Sequence, residues 1–268
     1  MVELTDITAI LGEGNEAGHR LCIIAAGLIG GWFIARDARA WPLPKLIRLN
    51  LLLVTALGGM LGSALPGLVA GGLVGDSVQA LAESQADGLV SFGSVVLMGP
   101  KTVIGALLGG FFSIALFKRL TRITCDTSDA FARGMCLLMA VGRVGCVLQH
   151  CCFGAAISLT SPAWYGVHLG DGVLRHPTQG LELLVQACLA GVIFVLHARG
   201  ALPHRRLFLA FLLYGSARFV LEFLREPLGA TWLGLNLWQY LGLLLAGIGA
   251  WQLISRRTWT DPVPQRPG

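Results

Sequence analysis

The amino-acid sequence predicts an all-α, polytopic membrane protein with seven transmembrane helices. Hydrophobic residues make up 54% of the 268 residues and charged residues only 13%, which is about half the charged share of a soluble domain. The apolar residues are gathered in stretches long enough to cross a bilayer as helices, which takes about 20 residues each. The composition therefore predicts a chain without a soluble domain.

The whole chain, residues 1–268, is interpreted as a single integral membrane domain. Pro66 predicts a kink in the second span, and the break at Met98–Lys101 separates the third span from the apolar residues 89–97. Those residues are interpreted as an interfacial or dipping segment. The predicted spans are about 19–36, 49–74, 102–117, 130–149, 180–197, 207–224 and 232–254.

The distribution of Lys and Arg predicts the orientation. The loops 36–48, 118–133 and 198–206, with the tail after Ile254, hold 14 of the 20 basic residues. Positively charged loops stay in the cytoplasm, so the sequence predicts an outward N-terminus and a cytoplasmic C-terminus. The excess of basic residues is then a topology signal, and no nucleic-acid partner is expected.

Basic residues outside those loops converge on one depth of the membrane. They are Arg20, Lys101, Arg143, Arg175, Arg218 and Arg225. In the predicted orientation all except Arg20 reach the outer headgroup level, where Glu182 and Glu222 are the acids within spans. A net positive, partly dry pocket suits an anion, and forked arginine contacts suit a phosphodiester. The sequence therefore predicts a site for phosphatidylglycerol or a related anionic phospholipid.

Arg143 lies inside an apolar segment that is long enough to cross the bilayer. A cation there costs about 2.5–3.5 kcal/mol on insertion scales and normally faces a partner or an aqueous cavity. The functional interpretation is a phosphate ligand, and the alternative is a structural arginine paired with a helix acid such as Glu222. For Arg225 and Lys101 the alternative is a side chain that snorkels to the headgroups.

Several motifs occur in an order that resembles a known family. They are Gly-Arg-Val-Gly at 142–145, His-Pro-Thr-Gln at 176–179, Tyr-Gly-Ser-Ala-Arg at 214–218 and Glu-Phe-Leu-Arg-Glu-Pro at 222–227. Two further segments belong to the set: Gly-Ala-Leu-Leu-Gly-Gly at 105–110 and Leu-Gly-Leu-Asn-Leu-Trp-Gln at 233–239. Together they resemble the prolipoprotein diacylglyceryl transferases, seven-span enzymes of the bacterial cytoplasmic (inner) membrane. His-Pro-Thr-Gln alone would be a weak signal, whereas the ordered set at one depth is specific.

The resemblance implies transfer of a diacylglyceryl group from phosphatidylglycerol to the lipobox cysteine of a preprolipoprotein signal peptide, without a cofactor. It implies that Arg143 and Arg218 bind the phosphate, and His176 is the candidate base because imidazole titrates near neutral pH. The expected substrate-binding residues are Lys101, Arg175, Gln179, Glu182, Tyr214, Glu222, Arg225 and Gln239.

The chain departs from the family pattern at five positions. Ile104 stands where the family has His, Cys146 and Gln149 stand where it has Asn, and Leu181 and Leu228 stand where it has Tyr and Asp. Two alternatives therefore remain open beside the transferase. One is a divergent paralogue that uses the same phospholipid with another acceptor, and the other is a non-catalytic lipid-binding or transport protein.

Cysteines cluster directly after the Gly-Arg-Val-Gly motif. Cys146, His150, Cys151 and Cys152 have the residue types of metal ligands, but adjacent cysteines at this distance from a third are not a standard zinc spacing. No metal site is therefore predicted. A disulfide on the oxidising face and free thiols packed at the helix end both remain open.

Overall fold

The computed structural model describes residues 15–73, 101–157, 165–169, 172–226 and 231–255. The predicted interfacial segment 89–97, Leu228 and the basic residues of the C-terminal tail lie outside the described residues.

Seven long helices account for most of the described residues, and each is long and apolar enough to cross a membrane. They are α1 (Glu16–Asp37), α2 (Lys45–Leu73), α3 (Val103–Thr121), α4 (Ser128–Leu148), α5 (Thr178–Ala198), α6 (Arg206–Glu222) and α7 (Leu237–Ile254). A short 3-10 turn, Ala38–Ala40, follows α1, and strands β1 (Val167–His168) and β2 (Leu174–Arg175) form an antiparallel hairpin. The predicted all-α, seven-helix fold class is confirmed, while the single-domain interpretation stays a prediction.

The beginning of α7 differs from the predicted span, because the helix begins at Leu237 rather than at Trp232. Trp232 and Leu235 exchange backbone hydrogen bonds of 2.9 and 3.0 Å and form a tight turn. Asn236 then caps the helix: its side chain accepts from the Gln239 N–H, and the Gln239 side chain accepts from the Asn236 N–H. This capping box defines the first turn, whereas hydropathy cannot separate the apolar turn from the helix.

Glycines allow the closest helix pairs to approach backbone to backbone. A Cβ added to Gly30 of α1 would lie 2.7 Å from the Gly134 oxygen of α4, and one added to Gly62 of α2 would lie 2.7 Å from the Gly109 Cα of α3. The pair α6–α7 has the same kind of contact at Gly215. Membrane helices associate through such small residues, which accounts for part of the 36 glycines.

Apolar side chains lie both inside and outside the bundle. Helices α3 to α7 enclose a core that includes Ile104, Leu108, Met139, Ile193, Phe211 and Leu245. On the outside, α1 and α2 expose Leu21, Ile24, Leu28, Leu46 and Leu53. A continuous apolar exterior of this kind is rare in water and suits lipid chains, as expected for a multi-pass membrane protein.

Polar interactions are concentrated at the two ends of the bundle. At one end, Arg206 of α6 pairs with Asp129 of α4 at 2.9 Å, and the basic loops lie here. Helix α4 then runs to Arg143 at the other end, about 21 Å away along its axis at about 1.5 Å per residue. The alternating helix directions place the basic loops and Arg143 at opposite ends, as the sequence predicts. Which end faces the cytoplasm stays a prediction.

Candidate functional site

A buried cluster of charged side chains lies where the ends of α4 and α6 meet the beginning of α5. Arg143 of α4 forms an ion pair with Glu182, which is in the first turns of α5. The Glu182 side chain is only 1% exposed. A carboxylate removed from water this completely requires positive partners, so the surrounding arginines are part of what makes its burial possible.

Glu182 is shared by three arginines. Besides the Arg143 contact, its Oε1 accepts a hydrogen bond from Arg225 Nη2 at 3.0 Å and lies 3.3 Å from Arg218 Nη1. Arg218 is on α6, and Arg225 is on the segment that turns back after it. One side chain of α5 therefore pairs with cations from α4, from α6 and from the segment that follows α6.

Glu222 extends the cluster toward α7. Arg218 Nη1 lies 2.6 Å from Glu222 Oε2 one turn further along α6, a spacing that favours ion pairs on a helix. The other carboxylate oxygen accepts a hydrogen bond of 3.1 Å from Asn236 Nδ2. Because Asn236 and Gln239 form the α7 capping box, Gln239 supports the cluster through Asn236.

Uncharged polar side chains lie beside the charges. Tyr214 is almost fully buried one turn before Arg218 on α6, and Gln179 and Gln186 are buried on the turns before and after Glu182. Within the described part of the chain, Gln179 Nε2 and both polar atoms of the Gln186 amide have no hydrogen-bond partner. Buried amides are normally satisfied, so these two side chains keep hydrogen-bonding capacity that a polar ligand could use.

The cluster keeps an excess of positive charge. Three arginines face two glutamates, which leaves one positive charge among side chains that are at most 15% exposed. A guanidinium has several N–H donors in a planar fork, and Arg225 Nε is buried without a hydrogen-bond partner among the described residues. The arrangement can therefore accept a further anion while its ion pairs persist.

The loop after α4 crosses the same end of the bundle. The Gly154 N–H donates to the backbone oxygen of His176, and the His176 N–H donates to the backbone oxygen of Ala155. The Ala155 N–H donates in turn to the backbone oxygen of Leu224, the residue before Arg225. The His176 ring packs against Tyr165 at 5.6 Å between centroids. Its buried Nδ1 has no hydrogen-bond partner within the described ranges. These bonds hold His176 near the charged cluster.

Two predicted site residues have other surroundings. The Arg175 guanidinium lies 4.4 Å from the centre of the Phe153 ring and 3.9 Å from Glu226, not against Glu182. Lys101 is exposed directly before α3, and the alternating helix directions place it at the same end of the bundle as Arg143. A phosphate contact for either residue stays a prediction.

The geometry corrects two details of the sequence interpretation. The acid paired with Arg143 is Glu182 rather than Glu222. The idea that Arg225 snorkels to the membrane surface is wrong, because the chain turns after α6 and directs this side chain, 15% exposed, onto Glu182. Sequence reasoning also missed Asn236 and Gln186. For Asn236 the available signal was the Asn-x-x-Gln capping pattern. For Gln186 it was the spacing of one helical turn from Glu182.

The sequence model of the prolipoprotein diacylglyceryl transferase family matches residues 18–255 of this chain. The chain belongs to this family.

Relatives with the name phosphatidylglycerol–prolipoprotein diacylglyceryl transferase align with part of the chain. The protein of Dehalococcoides mccartyi is 30% identical over 163 residues, 58% of this chain and 61% of the relative. Those of Methylibium petroleiphilum and Polaromonas naphthalenivorans are 32% and 33% identical, with 57% and 61% of this chain and 61% and 63% of the relatives covered. The alignments thus span somewhat under two thirds of the relatives.

Ile104 distinguishes this member of the family at a position where the resemblance implies histidine. The side chain is 3% exposed and belongs to the apolar core that also contains Leu108 and Tyr214. An isoleucine there can neither accept a proton nor donate a hydrogen bond. Any general base in this diacylglyceryl transferase family member must therefore come from another residue.

The cysteine group of this family member lies at the end of α4. Cys146, Cys151 and Cys152 are unbridged cysteines in the structure. Hydrogen bonds with Cys146 and Cys151 lower the pKa of Cys152, and Arg143 and Arg225 act in the same direction. Hydrogen bonds with Cys146 and Cys152 raise the pKa of Cys151. The three sulfur atoms therefore share their protons unequally.

Proposed function

We propose that this chain transfers a diacylglyceryl group from phosphatidylglycerol to the lipobox cysteine of a preprolipoprotein signal peptide in the bacterial cytoplasmic membrane. The observation that carries the proposal is the buried group of Arg143, Arg218 and Arg225 around Glu182. Membership in the family and the names of the relatives support the same donor and acceptor.

The arginines would act on the phosphate of the donor. Transfer breaks the bond between a glyceryl carbon and a phosphate oxygen, so negative charge grows on the departing glycerol phosphate. Arg143 and Arg218 can keep one edge of each guanidinium on the glutamates and direct another toward that oxygen. In a water-poor site, fixed donors of this kind stabilise the transition state strongly.

The acceptor thiol must lose its proton while its sulfur forms the new bond to the glyceryl carbon. Arginine cannot take this proton, because its guanidinium stays charged. His176 is the proposed base: it lies on the loop beside Arg225, and its Nδ1 has no partner among the described residues. A thiolate formed next to this residue would be a far better nucleophile than the thiol.

One observation favours a second candidate function. Ile104 removes an ionisable group from the core next to the site, while the arginines that would bind the donor are retained. A chain with the same phospholipid donor and an acceptor other than a lipobox cysteine would show this combination.

The two candidates predict different products. Purified protein is incubated with headgroup-labelled phosphatidylglycerol and a lipobox peptide, and both the released glycerol phosphate and the lipidated peptide are measured. Lipidated peptide in equal amount to released headgroup supports the proposal. Headgroup release without lipidated peptide supports the second candidate, and lipid binding with neither product supports a non-catalytic protein.

A further inference from the structure

A second group of potential ligands lies at the end of α4, next to the arginines. The ligand atoms of His19, Cys146 and Cys151 are all within 4.8 Å of one another. Ligand atoms around a tetrahedral zinc ion lie about 3.5–3.8 Å apart, given Zn–S of about 2.3 Å and Zn–N of about 2.0 Å. Small side-chain rotations would therefore bring these three atoms around one ion.

The turn after α4 brings the cysteines together despite their irregular spacing in sequence. The Cys151 N–H donates to the Cys146 oxygen at 3.2 Å, which folds the chain back over the last turn of the helix. His150 and Cys152, on either side of Cys151, have φ of 55° and 59°, a left-handed conformation that is uncommon for residues other than glycine. As a result the Cys151 sulfur returns to the end of α4, within 4.8 Å of the Cys146 sulfur.

The third side chain of the group, His19, comes from α1. The Asn15 N–H donates to the Leu148 oxygen at 2.9 Å, which ties the beginning of α1 to the end of α4. Gly145 leaves room for the imidazole, because a Cβ at this position would lie 3.0 Å from His19 Nδ1. That nitrogen is buried and has no hydrogen-bond partner within the residues that the structure describes.

We propose that Cys146, Cys151 and His19 bind one thiophilic metal ion, for which zinc is the best match. Two thiolates and one imidazole supply three of the four ligands of a tetrahedral zinc site, and Cys152, next to Cys151 in sequence, is the candidate for the fourth. The ion would tie α1 to α4 and to the loop over the arginines. The Cys152 oxygen accepts from Thr178 Oγ1 at 3.1 Å, so the same loop is attached to the beginning of α5.

Metal binding by the full-length protein tests this proposal. The protein is purified in detergent, reduced, stripped with a chelator and dialysed against zinc alone, and the bound metal is measured by elemental analysis. We expect about one zinc ion per chain. Cobalt added instead should give a thiolate-to-cobalt charge-transfer band and the visible spectrum of a tetrahedral site.

Matched variants identify the ligands. His19→Ala, Cys146→Ser and Cys151→Ser should each weaken binding by at least about 10-fold, since even indirect partners of a metal have effects of this size. Cys188→Ser and His168→Ala, which change a cysteine and a histidine outside the cluster, should bind metal as the unmodified protein does. Elution profile and thermal unfolding show whether each variant is folded.

The unmodified protein decides the question even if the ligand variants do not fold. If the reduced protein takes up neither zinc nor cobalt, the proposal is wrong. Normal uptake by a folded His19→Ala and a folded Cys146→Ser would also overturn it, and so would a disulfide among the three cysteines in protein isolated without reductant and without metal. None of these results depends on lipid transfer.

Discussion

Arg143 of α4 and Glu182 of α5 form an ion pair that is buried at the end of the helix bundle, with the carboxylate 1% exposed. Arg218 and Arg225 contact the same carboxylate. Glu182 thus holds together the three cations that would bind a phospholipid headgroup. Its contribution differs from theirs: it positions the arginines and neutralises part of their charge, and Arg225 Nε stays without a hydrogen-bond partner among the described residues.

Replacing Glu182 by Gln should destabilise the protein strongly. The amide keeps the shape of the side chain but leaves the arginines with one acid, Glu222, in a medium of low polarity. Breaking a buried pair by removing one partner typically costs about 3–5 kcal/mol. Thermal unfolding in detergent at matched protein concentration measures the effect.

Glu226→Gln is the matched control for this change. Glu226 is 67% exposed and lies 3.9 Å from Arg175, and exposed pairs contribute about 0–1 kcal/mol. Its unfolding midpoint should stay close to that of the unmodified protein. Equal midpoints for the two variants would mean that Glu182 is dispensable for the cluster.

Arg143→Lys and Arg218→Lys should nearly abolish turnover. An ammonium group is a single point of charge and cannot contact a glutamate and a phosphate through two edges of one plane. Loss of one such donor typically lowers the rate by about 10²–10³. Turnover of phosphatidylglycerol is measured at matched amounts of folded protein.

Arg133→Lys provides the control, because this arginine is as buried as Arg218 and pairs with Asp37 at the opposite end of the bundle. It should keep most of the activity. Near-normal rates for Arg143→Lys and Arg218→Lys would show that these residues only neutralise the glutamates, and the proposed phosphate site would have to be abandoned.

His176→Ala should show a defect that diminishes as pH rises. If His176 takes the proton of the acceptor thiol, its loss matters most where the thiol is protonated, and a free cysteine ionises by itself near pH 8.5. We expect a loss of about 10²–10⁴ at neutral pH and partial recovery in alkaline buffer. A loss of constant size across the whole pH range would instead indicate a structural role for the residue.

Reporter tags test the predicted orientation. A tag after Pro267 should report the cytoplasm, and a tag inserted within Gly75–Gly88 should report the exterior, because the loops with 14 of the 20 basic residues should stay inside. Both tags on the same side would contradict seven alternating spans. If both tags report the side opposite to the predicted one, the arginine cluster lies at the cytoplasmic face.

Local sequence was sufficient for the fold class and for most candidate residues. Apolar stretches of bilayer length predicted seven helices, and the basic residues outside the positive loops led to Arg143, Arg218 and Arg225. Helix boundaries lie within four residues of the predicted spans except at the beginning of α7, where Asn236 and Gln239 begin the helix after an apolar turn. These properties depend on residues close to one another in the chain, so pattern and spacing can express them.

Only the tertiary structure decided which of these residues meet. Glu182 lies 39 residues from Arg143 and 43 from Arg225 in sequence, and no local pattern shows that one carboxylate contacts both. His19 reaches Cys146 because α1 packs against α4 through Gly145. Helical periodicity specifies a face of each helix, whereas the partner of that face depends on how all the helices pack together.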